Sequence, residues 1–173
     1  MMRMVIALFI GLALCITTKA QDSVEAVQAR AMEILPWVAQ HTGYKADHVK
    51  PRIVFKTSDQ LQHIYYGEHY DPSYIKIAAI TVDQAIMLRD DFKLGVNDDT
   101  LAHELTHVLQ HANGHFVGTN PGDFKCLGDM EKEAYLTQNA WIDEFHVGTK
   151  VEELWLLLLT ICDDPAKNRY SHY

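Results

Sequence analysis

Most of the chain shows apolar residues at helical or strand-like spacing. From Asp22 to Gly43 they recur every three or four positions, which predicts an amphipathic helix. Asp22 and Glu25 have the spacing of a capping box, and Gly43 is a helix stop. Pro36 is expected to kink or break this helix toward its end, because proline removes a backbone hydrogen bond.

A second region is rich in strand-forming residues. Residues 52–55 form a short predicted strand, and Thr57 or Ser58 can cap a helix that ends at Gly67. The runs IKIAAITV and AIMLRD then predict an antiparallel hairpin that turns around Asp83 and Gln84.

Three helices complete the pattern. A turn and cap between Gly95 and Thr100 precede a helix that runs to about Ala112, and two more helices cover about 129–145 and 150–162. The last of them contains LWLLLLTI, which is too short to cross a membrane and is expected to be buried in the core. The order of elements predicts an α+β domain.

The first twenty residues differ from the rest of the chain. Arg3 precedes twelve apolar residues, 5–16, and small residues stand at Thr18 and Ala20. This layout is typical of a secretory signal peptide, and twelve residues span only about 18 Å as a helix, short of a membrane. We therefore expect a signal peptide at 1–20, one domain at 21–173, and a secreted or periplasmic protein.

Charge and cysteine content narrow the function. The formal net charge is −8, which argues against a nucleic-acid partner, and we expect no membrane association after cleavage of the leader. Cleavage would leave Cys126 and Cys162, an even number in an oxidising compartment. We predict a disulfide between them; the alternative is two separate buried thiols.

The stretch HELTH carries the clearest chemistry. His103 and His107 lie four residues apart, so on a helix they can offer two imidazole nitrogens to one metal ion. Glu104 lies at the edge of that face, where a general base is needed. Gln110 can either orient His107 or face solvent. The apolar residues expected on the opposite face are Leu101, Leu105, Val108 and Leu109.

A catalytic zinc ion takes three protein ligands and keeps one open position. The predicted helix EKEAYLTQNAW offers Glu131 and Glu133, which lie about 200° apart around a helix, so only one of them can face the metal. Glu131, Tyr135 and Gln138 share one face. The preceding hairpin can supply an edge strand on which a peptide pairs, although an ordinary sheet has the same pattern.

HELTH followed by a helix with Glu-x-x-x-Tyr resembles the gluzincin group of zinc metallopeptidases, to which thermolysin belongs. The resemblance covers about 75–145 and implies an α+β zincin-like fold, a small antiparallel sheet packed on the HExxH helix with further helices. It implies that His103, His107 and Glu131 bind zinc, that Glu104 activates water, and that a peptide or protein is hydrolysed. Where the family often has an acidic residue or Asn, this chain has Tyr135, which can orient a histidine or stabilise an oxyanion.

Alternatives remain at this stage. Glu133 or Asp123 can replace Glu131 as the third ligand. The rival function is a secreted binding or structural module whose metal only ties helices together, with a fourth ligand from His111, Asp123 or a reduced Cys126.

Overall fold

The helices and strands follow the order expected from the sequence. The computed structural model describes residues 22–74, 76–118, 123–159 and 161–162, so the predicted signal peptide lies outside the described residues. The elements are α1 (Val24–Thr42), β1 (Arg52–Lys56), α2 (Ser58–Tyr66), a 3₁₀ turn (Gly67–His69), β2 (Ala79–Val82), β3 (Ala85–Arg89), α3 (Asp98–Ala112), α4 (Leu127–Phe145) and α5 (Glu153–Leu159).

Helix α1 differs from its prediction in two features, its N-cap and the effect of its proline. Its N-cap is Ser23, whose hydroxyl accepts a hydrogen bond from the Ala26 amide, so the predicted Asp22 capping box is wrong. The helix also continues through Pro36 to Thr42 without a break. Pro36 has no N–H to donate to the carbonyl oxygen of Met32. Both residues are exposed, so water can bond to that oxygen instead.

The sheet is mixed, so the expected antiparallel sheet is wrong in one of its two pairings. The strand order is β1-β3-β2: β2 and β3 form the predicted antiparallel hairpin, whereas β1 runs parallel to β3. The connection from β1 to β3 includes α2 and is long enough for a parallel crossover. Strand β2 therefore lies at one edge of the sheet.

Helix α3 is the centre of the fold. It packs against α1, α4 and the strands β2 and β3, and its residues are buried from Leu101 through Gln110. The leucines and valine that the sequence assigned to the core face of α3 are all fully buried, and they pack with Val27, Ile34, Val38, Ile86 and Leu88. A helix enclosed in this way holds its side chains in fixed positions.

The first turn of α3 is fixed by two buried aspartates. Asp98 pairs with Arg30 of α1 at 2.8 Å and accepts a hydrogen bond from the Gly95 amide. Asp99 accepts a hydrogen bond from the Gln138 side chain of α4, and its burial raises the pKa of its carboxyl above the ordinary value. Both neighbouring helices are therefore tied to the start of α3.

A disulfide joins the start of α4 to the segment after α5. Cys126 and Cys162 are bonded, with their Cα atoms 5.5 Å apart, which confirms the predicted pairing. Between them, the Asn139 side chain exchanges two hydrogen bonds with the backbone of Val151. The segment that follows α4 thus returns along that helix.

Helix α5 does not fill the core, contrary to the prediction. Leu156 is buried, but Leu154 and Leu157 are 66% and 63% exposed and Trp155 is also exposed. The helix is only seven residues long and apolar around its circumference, so a single packing partner cannot cover it. Among the described residues no helix is long and apolar enough to span a membrane.

Candidate metal centre

Helix α3 presents two histidines on one face. His103 and His107 are one turn apart, and their Nε2 atoms lie 3.2 Å from each other. The two residues are 8% and 7% exposed, so both lie at the boundary between the core and solvent. The helical spacing in HELTH therefore brings the two imidazole nitrogens to one point, as predicted.

Helix α4 supplies a carboxylate to the same point. Glu131 Oε2 lies 3.3 Å from His103 Nε2, and Glu131 Oε1 lies 3.5 Å from His107 Nε2. Glu133 points away and bonds to other groups, and Asp123 does not join the cluster. Of the three carboxylates weighed from the sequence, the structure places Glu131 beside the histidines.

These distances fit a zinc site. In a tetrahedral site with bonds of about 2.0–2.1 Å, two ligand atoms lie about 3.3 Å apart. The two Nε2 atoms lie 3.2 Å apart, and they lie 3.3 and 3.5 Å from the two different oxygens of the Glu131 carboxylate. Two imidazoles and one carboxylate are also a donor set that zinc prefers. Among the described residues, no fourth His, Cys, Asp or Glu belongs to this group.

Electrostatics couples the three groups. Burial opposes the charge on His107, but the carboxylates of Glu131 and Glu104 and hydrogen bonds to Glu131 and Gln110 outweigh it and raise its pKa to about 9. Burial likewise disfavours the Glu131 carboxylate, yet the two histidines hold its pKa well below the usual range. Without a metal ion, a proton on His107 therefore balances the charge of Glu131.

Glu104 is held by the edge strand of the sheet. Its side chain is almost fully buried, and its Oε2 accepts a hydrogen bond from the Thr81 hydroxyl at 2.7 Å. Thr81 lies on β2, so the packing of the hairpin against α3 fixes the carboxylate beside the histidines. Sequence reasoning missed Thr81, although a hydroxyl residue in the apolar run AITV was a signal of a polar contact.

Gln110 orients His107. Its side chain is fully buried, and its Oε1 lies 2.8 Å from His107 Nδ1. The solvent-facing alternative for Gln110 is therefore wrong, because the adjoining helix α4 covers this face of α3. By contrast, His103 Nδ1 is buried and has no hydrogen-bond partner within the described part of the chain.

Tyr135 lies one turn after Glu131 and packs on His103. Their ring centroids are 4.5 Å apart in an edge-to-face arrangement. Burial, followed by the charges of Glu131 and Glu104, raises the pKa of the Tyr135 hydroxyl above its ordinary value. The hydroxyl therefore keeps its proton at neutral pH and remains a hydrogen-bond donor.

His111, His115 and Cys126 do not join this centre. His111 packs against Phe116, and His115 packs against Tyr44. Burial lowers the pKa of His111, which favours its neutral form. Cys126 is committed to the disulfide. The candidates for a fourth protein ligand thus lie outside the cluster in the described structure.

Comparison with known proteins identifies a family. Residues 19–168 match the family described as a domain of unknown function, DUF6647, and the chain belongs to that family. No curated protein and no solved structure matches the chain. The fold and the cluster of His103, His107 and Glu131 therefore have to carry the functional argument.

Proposed function

We propose that this chain is a zinc-dependent metallopeptidase of the gluzincin type, with a zincin-like fold. The observation that supports it best is the cluster of His103, His107 and Glu131. The two Nε2 atoms lie 3.2 Å apart, and the two oxygens of Glu131 lie 3.3 and 3.5 Å from them, which suits ligands of one zinc ion. Two of the ligands come from the HExxH helix and the third from the next long helix.

Three protein ligands would leave one coordination position of a zinc ion open. Structural zinc sites use four protein ligands, whereas catalytic sites use three and keep one position for water or substrate. Within the described residues the cluster contains three such groups, which supports the catalytic alternative. A bound zinc ion would supply a Lewis acid that polarises a carbonyl oxygen and lowers the pKa of a water molecule toward about 7.

Glu104 is the proposed general base. It accepts the proton of the attacking water as the C–O bond forms, then delivers that proton to the amine nitrogen as the C–N bond breaks. The Thr81 hydroxyl occupies one carboxylate oxygen, Oε2, and so fixes the direction of the other. Because the carboxylate is already held in place, substrate binding does not have to fix its orientation.

Tyr135 is the proposed oxyanion donor. Its hydroxyl stays protonated and lies on a side chain that packs against His103, beside the proposed zinc ligands. A donor at this place stabilises the substrate oxygen on which negative charge develops. The edge strand β2, which carries Thr81, offers backbone groups along which an extended peptide can pair.

The disulfide supports export of the protein. Disulfides persist in oxidising compartments, and Cys126–Cys162 is formed in this fold. This agrees with the secreted or periplasmic location expected from residues 1–20.

The alternative function is a secreted binding or structural module. One observation favours it: the three groups are mostly buried and join α3 to α4, as a structural metal would. That alternative requires a fourth protein ligand, and Cys126 cannot supply it while it is bonded to Cys162.

A peptide-mixture experiment tests the proposal. The zinc-loaded protein is incubated with a degenerate peptide library, and mass spectrometry detects new termini. We expect cleavage by the wild type and by Glu144→Gln, which changes an exposed residue of α4. Glu104→Gln should keep its zinc but lose cleavage by a factor of at least about 10³. Full activity of Glu104→Gln would refute the assigned base, and a zinc ion closed by four protein ligands would favour the structural module.

A further inference from the structure

Glu133 has a different set of contacts from its neighbour Glu131. Its Oε2 accepts one hydrogen bond from the Tyr44 hydroxyl at 2.8 Å and another from Gln110 Nε2, also at 2.8 Å. Glu133 is therefore not a ligand of the cluster but a partner of the residue that orients His107.

The amide of Gln110 can point in only one direction. Its Nε2 donates to the Met130 carbonyl oxygen at 3.1 Å and to Glu133 Oε2 at 2.8 Å, so both of these oxygens act as acceptors. A flipped amide would set its oxygen against both of these oxygens and would remove two hydrogen bonds. The oxygen of Gln110 is thus aimed at His107.

This orientation fixes which nitrogen of His107 carries the proton. Gln110 Oε1 can only accept, so His107 Nδ1, 2.8 Å away, must hold a hydrogen whether the ring is neutral or charged. In the neutral ring the lone pair then lies on Nε2, which faces Glu131 and His103. That nitrogen is the one a metal ion in this cluster requires.

We propose that Glu133 and Tyr44 are positioning residues that act through Gln110 to hold His107 as an Nε2 ligand. This effect on metal binding rests on the proposed zinc site, whereas the hydrogen-bond chain itself does not. Tyr44 follows the Gly43 cap of α1, Glu133 lies on α4 and Gln110 on α3. The chain therefore locks three helical segments around one imidazole.

Tyr44 completes the chain because its hydroxyl is a permanent donor. Its partial burial, followed by its hydrogen bond to Glu133, raises the pKa of this hydroxyl above the usual value. Since it never becomes an acceptor-only phenolate near neutral pH, it keeps the shared oxygen of Glu133 directed between Tyr44 and Gln110.

Two measurements on the full chain test the proposal. Histidine side-chain ¹H–¹⁵N spectra of the metal-free protein near neutral pH report how fast the His107 Nδ1 hydrogen exchanges with water. Competition with a chromophoric chelator reports the zinc dissociation constant. The His103 ring is an internal control, because its Nδ1 atom has no hydrogen-bond partner among the described residues.

Glu133→Leu should speed exchange of the His107 Nδ1 hydrogen and weaken zinc binding by about 10- to 100-fold. Glu133→Gln should keep most of the protection of the Nδ1 hydrogen and most of the zinc affinity, because its side-chain oxygen can still accept a hydrogen bond from Gln110. The control Glu144→Leu also removes a hydrogen-bonded glutamate of α4, the partner of Trp37, and should change neither measurement. Tyr44→Phe removes one hydroxyl and should speed the same exchange to a lesser degree, which carries the test if Glu133→Leu does not fold.

Unchanged exchange in a folded Glu133→Leu or Tyr44→Phe would overturn the proposal. So would weakened zinc binding with the Nδ1 hydrogen still protected, since Glu133 would then act by another route. If the wild type binds no zinc but its Nδ1 hydrogen is protected and responds to Glu133→Leu, the positioning chain is confirmed and the proposed function fails.

Discussion

The Thr81 hydroxyl donates a hydrogen bond to Glu104 Oε2 at 2.7 Å, which joins the edge strand of the sheet to the proposed general base. Thr81 also lies 3.2 Å from the Glu104 carbonyl oxygen, so strand and helix meet at this residue. The strand on which we propose that an extended peptide pairs is therefore the strand that holds the proposed base. In the proposed function, one element sets both substrate position and base position.

Replacing Thr81 with Val keeps the side-chain shape but removes this hydrogen bond. We expect kcat to fall by about tenfold or more while the zinc affinity stays unchanged, because Glu104 loses its fixed direction and the ligands are not altered. Thr81→Ser keeps the hydroxyl and is the matched control. Equal kcat values for Thr81→Val and the wild type would show that the hydroxyl does not position the base.

Zinc binding should release a proton from His107. In the metal-free protein, the neighbouring carboxylates of Glu131 and Glu104 raise the pKa of His107 to about 9. Near pH 7 the ring is therefore protonated, and the metal ion must displace that proton. The apparent zinc affinity should therefore rise by up to about tenfold per pH unit and level off once the pH exceeds this pKa. Titration calorimetry in buffers of different ionisation enthalpy measures the release. Absence of proton release near pH 7 would contradict the predicted charge state.

Gly148 permits the close packing of the segment after α4 on Asp99. A Cβ added to Gly148 would lie 2.7 Å from the Asp99 carboxyl carbon, and its φ is +99°. Gly148→Ala should lower the free energy of unfolding by more than the roughly 1–2 kcal/mol expected from the backbone alone. Gly43→Ala is the control, because its φ is also positive at +79° but nothing lies within 4 Å. Equal losses in chemical denaturation would show that the Asp99 contact has no cost.

The Cys126–Cys162 disulfide closes a loop with a sequence separation of 36 residues. Its removal in Cys126→Ser/Cys162→Ser should lower the free energy of unfolding by about 3–4 kcal/mol, chiefly because the unfolded chain gains freedom. Denaturant unfolding of the oxidised, reduced and double-serine proteins measures this. Equal stability of all three forms would show that the bond adds nothing to the fold.

Local patterns predicted much of the fold and of the candidate site. The four-residue spacing of His103 and His107 and the helical face of Glu131 rest on helix geometry, and the structure brings these residues together. The hairpin turn at Asp83 and the Thr57 cap likewise depend on neighbouring residues. Interactions within one or two turns can be read from sequence.

Two errors are local, the Asp22 cap and the break at Pro36 in α1, and the others concern interactions between distant parts of the chain. The parallel pairing of β1 with β3 depends on where the crossover places a strand, which periodicity does not encode. The exposure of α5 depends on what packs against it, since a short apolar helix has the same sequence whether buried or exposed. Tyr44 and Glu133, which bond to each other, are separated by 89 residues. Neither the tyrosine nor the glutamate indicates, by its type or position in the sequence, that it has such a partner.

The most direct test is the metal content of the purified protein, with X-ray absorption to define the ligands, for the wild type, Glu131→Ala and the control Glu144→Ala. The account predicts one zinc ion bound by two imidazoles, one carboxylate and a non-protein ligand in the wild type and the control. It also predicts much weaker binding in Glu131→Ala. A protein without zinc affinity, a zinc ion with four protein ligands, or an unaltered Glu131→Ala site would contradict it.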